Sequence, residues 1–418
     1  MLRRRMRDRI VYVALAEARG HLMRAHLLRE RLAAHGIAVE VVTTSAAGAR
    51  FLAALGTSAE VLPGGAALVF DGAHGLRRRA TTTALLRYLA RPSGMRADRA
   101  WLVARAHDAA FVVSDSLHPA LLFAPPSLRV VQVFGENILR ATQAELAGLG
   151  PLAPLGARVL ARAMDRAFAR VEHRLGDEPT DDRVIRLPPI LPTPILPTPR
   201  GPTPRGPTPR GLAGDERPVA YLNPHFTDGR IASAIEAALG PDLHGVAEGL
   251  AARPGWRAVD PSLVDRVAHA SVFVTGAGMG GVGMARAFAV PTIVLLSDQP
   301  EQRANAEQIR GLPHVRIVEL GDDLRVRLVA AVASLRTEPV RRPDPIAAPR
   351  ASEARWTETF LQLVDRARTD PRTTHDEHPR HAIHRPRPRD QQPRRRPGRS
   401  PRARLAASRA RLAARADP

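Results

Sequence analysis

Short apolar runs alternate with amphipathic stretches along most of the chain. The first of these units is an apolar run at Ile10–Leu15, a helical pattern from His21 to about Ala34 and a second apolar run at Ile37–Thr43. Short continuous apolar runs are typical of strands buried on both faces, and apolar positions three and four apart predict an amphipathic helix. Because Gly36 lies where a glycine commonly ends a helix, this stretch predicts a βαβ unit.

The same pattern recurs in both halves of the chain. Further apolar runs are Phe111–Asp115, Arg129–Phe134, Pro218–Asn223, Ser271–Thr275, Pro291–Leu296 and His314–Leu320. Strands that alternate with helices form parallel sheets through crossover connections. The pattern therefore predicts an α/β protein with two Rossmann-like domains that face each other across a cleft, where ligands bind at the carboxyl ends of the strands.

A proline-rich segment separates the two halves. Residues 187–211 read LPPILPTPILPTPRGPTPRGPTPRG, and proline at this density removes amide donors and favours an extended spacer. We expect a first domain over residues 1–186, a linker over 187–217 and a second domain over 218–350. A C-terminal helix over 351–368 and a disordered tail rich in Arg and Pro over 369–418 should follow.

The composition excludes several kinds of site. The chain has 418 residues and a net charge of +21, with no cysteine, and all 62 of its basic residues are arginine. Disulfides, thiolate metal sites, a Walker-type lysine, a Schiff base and the Tyr/Lys pair of some dehydrogenases are therefore excluded. Fourteen arginines and only four acidic residues lie in 371–418. We expect no specific nucleic-acid site, and only weak contact of this tail with anionic surfaces.

The N-terminal apolar run is interpreted as a strand and not as a targeting signal. Ile10–Ala16 is short, and Glu17 and Arg19 follow it directly, which a signal peptide tolerates poorly. No run reaches the roughly 18 apolar residues that a membrane span needs. We expect a cytoplasmic protein, with the inner membrane face as a candidate contact.

The candidate chemistry of the first half lies at the carboxyl ends of its strands. Gly20 and His21 follow the first strand, and Asp115 ends the run Phe111–Asp115. A neutral imidazole takes a proton from a hydroxyl near neutral pH, and a carboxylate can fix its tautomer. A histidine that caps or packs at a helix start fits the same position. Gly20, which allows a tight turn with the backbone close to a ligand, and Glu136 and Asn137, after the next run, are candidates for contact with the acceptor, the molecule that bears this hydroxyl.

The second half has a glycine-rich loop after a strand. Gly276, Gly278, Gly280 and Gly281 open the helix that follows, and bare amides at a helix N-terminus favour a diphosphate. Asn223, at the end of an earlier strand, is a further candidate for a ligand contact or for a turn. These positions predict a diphosphate site on the second half's side of the cleft, without a metal.

Long stretches of both halves resemble the UDP-glycosyltransferase-like enzymes of the GT-B fold, including the MurG-like and macrolide-glycosyltransferase-like members. The stretches are RGHLMRAHLLRERLAAHGIAVEVVTTS and FVVSDS in the first half, and FVTGAGMGGVGMARAFAVPTIVLLSDQPEQRANAEQI in the second. The resemblance implies a hexosyltransferase that uses a UDP- or TDP-linked sugar as co-substrate and needs no cofactor. It implies that His21 activates the acceptor, that Asp115 supports it, and that the glycine loop holds the diphosphate. The acceptor would be a small molecule or a lipid-linked hydroxyl.

The sequence differs from the family pattern at the donor site. Gly276 stands where the family has a diphosphate-contacting His, and Met284 where it has a ribose-binding Glu. In the family, an Asp-Gln pair contacts the sugar and an Asn-Ala pair follows it. Two places in this sequence match the Asp-Gln pair. Asp298–Gln299 keeps the residue types, whereas Glu301–Gln302 keeps the spacing to Asn305.

Two other functions fit the same residues. Gly276, Gly278 and Gly281 spell G-x-G-x-x-G, with Asp298 about twenty residues further on, as in NAD-dependent oxidoreductases. A catalytically inactive GT-B-like binding protein would also keep this pattern. The missing lysine and the His/Asp pair upstream favour an inverting glycosyltransferase over the oxidoreductase, and the inactive binding protein stays open as an alternative.

Removal of the tail tests its predicted independence from the domains. Deleting residues 371–418 should leave the melting temperature unchanged within error, because the segment has too few apolar side chains to offset its ordering entropy. Retention on a polyanion column should become less salt-sensitive, since the deletion removes fourteen arginines and only four acidic residues. A large fall in melting temperature would show that the tail packs on the domains.

Overall fold

Two parallel β-sheets with helices on their faces form the body of the protein. The computed structural model describes residues 8–65, 68–73, 75–147, 153–176, 183–195, 217–337 and 341–370. Within these ranges the first sheet has seven strands in the order β3-β2-β1-β4-β5-β6-β7, and the second has six in the order β10-β9-β8-β11-β12-β13. Residues 196–216 of the predicted linker and residues 371–418 of the predicted tail lie outside the described ranges. The predicted α/β fold is confirmed.

The strands of the first sheet are β1 (Arg9–Ala14), β2 (Ala38–Thr43), β3 (Ala59–Val61), β4 (Phe111–Asp115), β5 (Val130–Gly135), β6 (Ala169–His173) and β7 (Ile185–Leu187). The strands of the second sheet are β8 (Val219–Tyr221), β9 (His244–Val246), β10 (Trp256–Arg257), β11 (Phe273–Gly276), β12 (Thr292–Leu296) and β13 (Val315–Glu319). Every pairing within both sheets is parallel. Their carboxyl ends therefore meet at one edge of each sheet.

The α-helices are α1 (Arg19–Ala33), α2 (Ala46–Ala54), α3 (Arg78–Ala90), α4 (Ala97–Arg105), α5 (Pro119–Leu122), α6 (Glu136–Ala147), α7 (Ala153–Arg166), α8 (Gly229–Leu239), α9 (Leu263–Ala268), α10 (Met279–Phe288), α11 (Pro300–Glu307), α12 (Leu324–Arg336) and α13 (Ala347–Thr369). A helical turn at Pro92–Arg96 joins α3 to α4, and a single turn at Glu248–Leu250 follows β9. Among the described helices, none is both long and apolar enough to cross a membrane.

The first βαβ unit shows how the sequence pattern becomes structure. Strand β1 pairs with both β2 and β4, and its residues 10–14 are fully buried, as a continuous apolar run predicts. Helix α1 begins at Arg19, two residues before the predicted start, because Ala18 already has the extended conformation of an N-cap. Gly20 therefore lies inside the first helical turn and not in the tight turn that its sequence position predicts. Gly36 has a φ of 75°, as expected for the glycine after a helix.

The last described helix packs on the first sheet, although it follows the second sheet in the chain. Trp356, Phe360 and Leu363 of α13 share one hydrophobic cluster with α1 and the strands β1, β4 and β5. The Trp356 indole is fully buried and its Nε1 donates to the carbonyl of Pro188 at 2.7 Å. This helix therefore connects the end of the folded chain to the core beneath α1.

Truncation of the buried indole tests that connection. Trp356→Ala should lower the free energy of unfolding by about 3–5 kcal/mol, because it leaves a large cavity and the Pro188 carbonyl loses its donor. Urea denaturation measures the change. Glu358→Ala, on the exposed side of the same helix, is the control and should stay within about 0.5 kcal/mol of the wild type. Equal effects of the two substitutions would contradict this packing.

Candidate active site

His21 and Asp115 meet at the carboxyl edge of the first sheet. Asp115 ends β4, and its backbone is in register with Ala14 at the end of the neighbouring β1. His21, in the first turn of α1, places Nδ1 2.9 Å from Oδ1 of Asp115. The carboxylate is fully buried, whereas the imidazole is 14% exposed. The two side chains that the sequence predicts as a catalytic pair are thus in direct contact.

Two further donors hold the Asp115 carboxylate. The Tyr12 hydroxyl donates to Oδ2 at 2.8 Å, and Nε of Arg24 donates to the same oxygen at 2.8 Å. Burial would raise the pKa of Asp115, but the charges of Arg24 and His21 and their hydrogen bonds hold that pKa well below its usual range. Burial and the nearby carboxylate raise the pKa of Tyr12. Asp115 is therefore an anion that faces a neutral phenol and a guanidinium.

The ionised carboxylate fixes the tautomer of His21. A carboxylate can only accept hydrogen bonds, so the hydrogen between the two side chains belongs to Nδ1 of His21. Nε2 is then the basic nitrogen of the neutral ring. The arrangement can take up a proton at Nε2 and stabilise the resulting imidazolium through Asp115.

Ser116 lies against the same imidazole. Its Oγ is 3.0 Å from Nε2 and 3.2 Å from Nδ1 of His21. Because these distances are nearly equal, the hydroxyl lies over the ring and not in line with the Nε2 lone pair. Ser116 and Leu117 have φ values of 70° and 60°, which non-glycine residues adopt only at some cost. The turn after Asp115 is therefore strained where it contacts His21.

The glycine loop connects β11 to α10 at the carboxyl edge of the second sheet. Gly278 is the N-cap of α10, and a Cβ on Gly278 would lie 3.8 Å from Nδ2 of Asn223. A Cβ on Gly281 would collide with the hydroxyl of Thr275, so this glycine allows helix and strand to pack closely. Gly280 has open space beside it. Backbone amides and the Asn223 amide thus converge on the helix N-terminus.

Gly276 and Met284, the two positions that differ from the family pattern, both lie in the core. Gly276 is buried, and a Cβ there would lie 3.5 Å from the ring of Phe226. Met284 is only 5% exposed and packs in a cluster with Phe273 and Phe288. Neither position offers a polar side chain to a ligand.

Several predicted ligand contacts instead join the two sheets. Nδ2 of Asn137 donates to Oδ1 of Asn305 at 2.9 Å, and Nε2 of Gln308 donates to Glu136 at 2.7 Å. Glu136 also accepts from Arg174 at 3.0 Å. The Asn305 side chain is fully buried. Asn137, predicted for the acceptor side, therefore contacts Asn305, predicted for the donor side, and substrate binding by either residue or by Glu136 remains a prediction.

Contacts between the two halves of the chain also lie beside His21. Arg19 of α1 forms an ion pair with Glu248, and a ring nitrogen of His225 is 3.0 Å from the carbonyl oxygen of Glu17. The His225 ring also stacks on Phe70 with centroids 4.0 Å apart. Polar contacts thus hold the carboxyl edges of the two sheets against each other.

The two matches to the family's Asp-Gln pair differ in burial and in their polar contacts. Burial raises the pKa of Glu301, while the nearby charge of His21 and a hydrogen bond with Asn305 lower it. Gln302 is buried and accepts from Ser297 at 2.9 Å. Asp298 is exposed, and Gln299 is the N-cap of α11. Glu301 and Gln302 therefore lie beside polar partners of the second half, whereas Asp298 is exposed.

Sequence reasoning missed Tyr12, Arg24 and Ser116. Arg24 is three residues after His21 on one helix, a spacing that places both on the same face and could have revealed it. Tyr12 looked like a core residue of an apolar strand, and nothing in the sequence shows that its hydroxyl reaches Asp115. Within the described ranges, no group of three His, Asp or Glu side chains is arranged to hold a metal.

The buried carboxylate should make stability depend on acid pH. Because the pKa of Asp115 is lower in the folded than in the unfolded protein, its contribution is present above the ordinary aspartate pKa of about 3.9 and is lost as the pH falls below it. In urea denaturation between about pH 3 and 6, wild type should lose up to about 1.4 kcal/mol per pH unit more than Asp115→Asn. Asp365→Asn, at an exposed position, is the control. Parallel curves for wild type and Asp115→Asn would contradict the assignment.

Comparison with known proteins identifies the fold. No protein-family profile and no curated protein sequence matches the chain. The solved structure of the spinosyn forosaminyltransferase SpnP is 16% identical and covers 85% of this chain and 99% of its own, with a TM-score of 0.51. The glycosyltransferase of kitacinnamycin is 21% identical and covers 86% and 97%, also with a TM-score of 0.51. The two facing parallel sheets of this chain therefore have the GT-B fold of glycosyltransferases, as its sequence predicts.

Proposed function

We propose that the protein transfers a sugar from a nucleotide-diphosphate sugar to a hydroxyl acceptor with inversion at the anomeric carbon. The observation that carries the proposal is the His21–Asp115 pair, with its ionised carboxylate, at the carboxyl edge of the first sheet. The fold shared with two glycosyltransferases supports the same class of reaction. The acceptor is a small molecule or a lipid-linked hydroxyl, and the basic tail is a further candidate contact with anionic surfaces.

His21 is the general base in this proposal. Nε2 takes the proton of the acceptor hydroxyl while the acceptor oxygen forms a bond to the anomeric carbon. The bond from that carbon to the diphosphate oxygen breaks, and its electron pair leaves with the nucleotide diphosphate. Asp115 stabilises the imidazolium that results, and attack from the face opposite the leaving group inverts the configuration.

The glycine loop is the proposed diphosphate site. Gly278 opens the ten-residue helix α10, whose N-terminal amides favour an anion and can offset the charge that develops on the leaving group. Asn223 lies beside this turn and is a candidate for a donor contact. UDP and TDP are the nucleotides to test first.

A catalytically inactive binding protein is the second candidate. The observation that favours it is the burial of Met284 in the core, because this position then offers no carboxylate to a ribose. Ribose recognition by an active enzyme would have to come from other side chains. The two candidates share the nucleotide site and differ in turnover.

Substitution of the base tests the proposal. His21→Ala should lower the transfer rate by about 10²–10⁴-fold, because general base catalysis contributes that much, while nucleotide affinity stays within about twofold because the base acts on the acceptor. His26→Ala is the matched control, since His26 lies on the same helix and contacts Thr57 at 2.8 Å and not Asp115. Transfer by His21→Ala at the wild-type rate would refute the assignment.

Calorimetric titration with UDP, TDP and NAD separates the candidate classes. Binding of UDP or TDP that Gly278→Asp abolishes would support the glycine loop as donor site, since a carboxylate there repels the diphosphate. Binding of NAD alone would favour the oxidoreductase. Nucleotide binding without transfer to any of a broad panel of hydroxyl acceptors would favour the inactive binding protein.

A further inference from the structure

We infer that Arg24 is a positioning residue that holds the Asp115 carboxylate for His21 and places a positive charge against the imidazole. The inference rests on the proposed function, in which His21 is the base. Arg24 is one helical turn after His21 on α1 and is only 5% exposed. Its guanidinium therefore meets both members of the pair from one side.

Arg24 contacts both oxygens of the Asp115 carboxylate. Nε donates to Oδ2 at 2.8 Å, and the terminal nitrogen lies 3.4 Å from Oδ1. His21 contacts Oδ1 at 2.9 Å. A planar guanidinium that meets both oxygens fixes the plane of a carboxylate as well as its position. The oxygen that orients His21 is therefore held by Arg24 and not only by the strand.

Arg24 is itself held by the C-terminal helix. Its guanidinium carbon lies 5.4 Å from the ring centre of Trp356, within the range of a cation–π contact. Trp356 is fully buried and bonded through Nε1 to Pro188. The guanidinium thus lies between a fixed carboxylate and a fixed indole, so α13 contributes to the geometry of the site at the other end of the chain.

Arg24 also changes the electrostatics of the imidazole. A terminal nitrogen of Arg24 lies 3.4 Å from Nδ1 of His21. A cation at this distance opposes a second positive charge on the ring, whereas Asp115 favours it. Arg24 and Asp115 therefore place opposite charges beside the same ring nitrogen.

The other titratable groups around the pair lie on four separate elements. Tyr12 faces Asp115 from β1, and His173 faces it from β6, where burial lowers the pKa of the imidazole well below its usual value. Glu17 after β1 and Glu301 on α11 both interact with the charge of His21. Because the charge of Arg24 also acts on Tyr12 and His173, the effect of its replacement has to be measured at the His21 ring as well as in the rate.

Rate profiles of Arg24 variants test the inference. In Arg24→Gln the acidic limb of kcat/KM should move to higher pH by about one unit, because a charge within hydrogen-bonding distance is removed. Arg24→Lys keeps the charge but loses the planar fork, so its acidic limb should stay near that of the wild type while kcat falls several-fold. Arg31→Gln is the matched control, since Arg31 also joins α1 to α13, through Glu353, without contacting Asp115. An unshifted limb in Arg24→Gln would overturn the inference.

A measurement without substrate separates this inference from the proposed function. Nitrogen-15 NMR of the His21 ring, assigned with His21→Gln, gives its protonation midpoint in wild type and in Arg24→Gln. An upward shift supports the inference even if the wild type transfers no sugar, which would refute the function alone. An unchanged midpoint overturns the inference even if transfer is found. If Arg24→Gln does not fold, the kcat of Arg24→Lys tests the inference instead. A kcat of Arg24→Lys equal to that of the wild type would overturn the positioning role.

Discussion

The buried negative charge of Asp115 is the constraint on which the site depends. A fully buried carboxylate is costly unless donors surround it, and here Tyr12, Arg24 and His21 supply them. Those donors come from β1 and α1, so the carboxylate at the end of β4 fixes the strand-to-helix corner of the first βαβ unit. The same interactions that stabilise the charge orient the imidazole, so stability and proposed chemistry have one physical cause.

The facing edges of the two sheets add a second level of organisation. Asn137 with Asn305 joins two side chains that the sequence assigned to opposite substrates, and Glu136 with Gln308 adds a second contact beside it. Each amide or carboxylate is satisfied by its partner across the cleft. A ligand that entered between these residues would have to replace those hydrogen bonds, so its binding and the separation of the two sheets are coupled.

Much of the fold and part of the site could be predicted from the sequence. Apolar runs located β1, β4 and β12, because strands buried on both faces must be continuously apolar. Gly36 indicated the end of α1. The parallel order of strands then required His21 and Asp115 to lie at one edge. The start of α1 was less predictable, because Ala18 caps it with backbone conformation and no side-chain signal.

The sequence by itself determined the fold class and the residue types available at the carboxyl edges, since both follow from periodicity and from the position of each residue after a strand. Only the tertiary structure decided which donors share Asp115, that Met284 is core, and that Gln302 is buried while Asp298 is exposed. Such contacts join residues far apart in the chain, as Arg24 with Trp356 does. They depend on the rotation of each helix about its axis and on how helices and sheets pack, which the periodicity of the sequence does not determine.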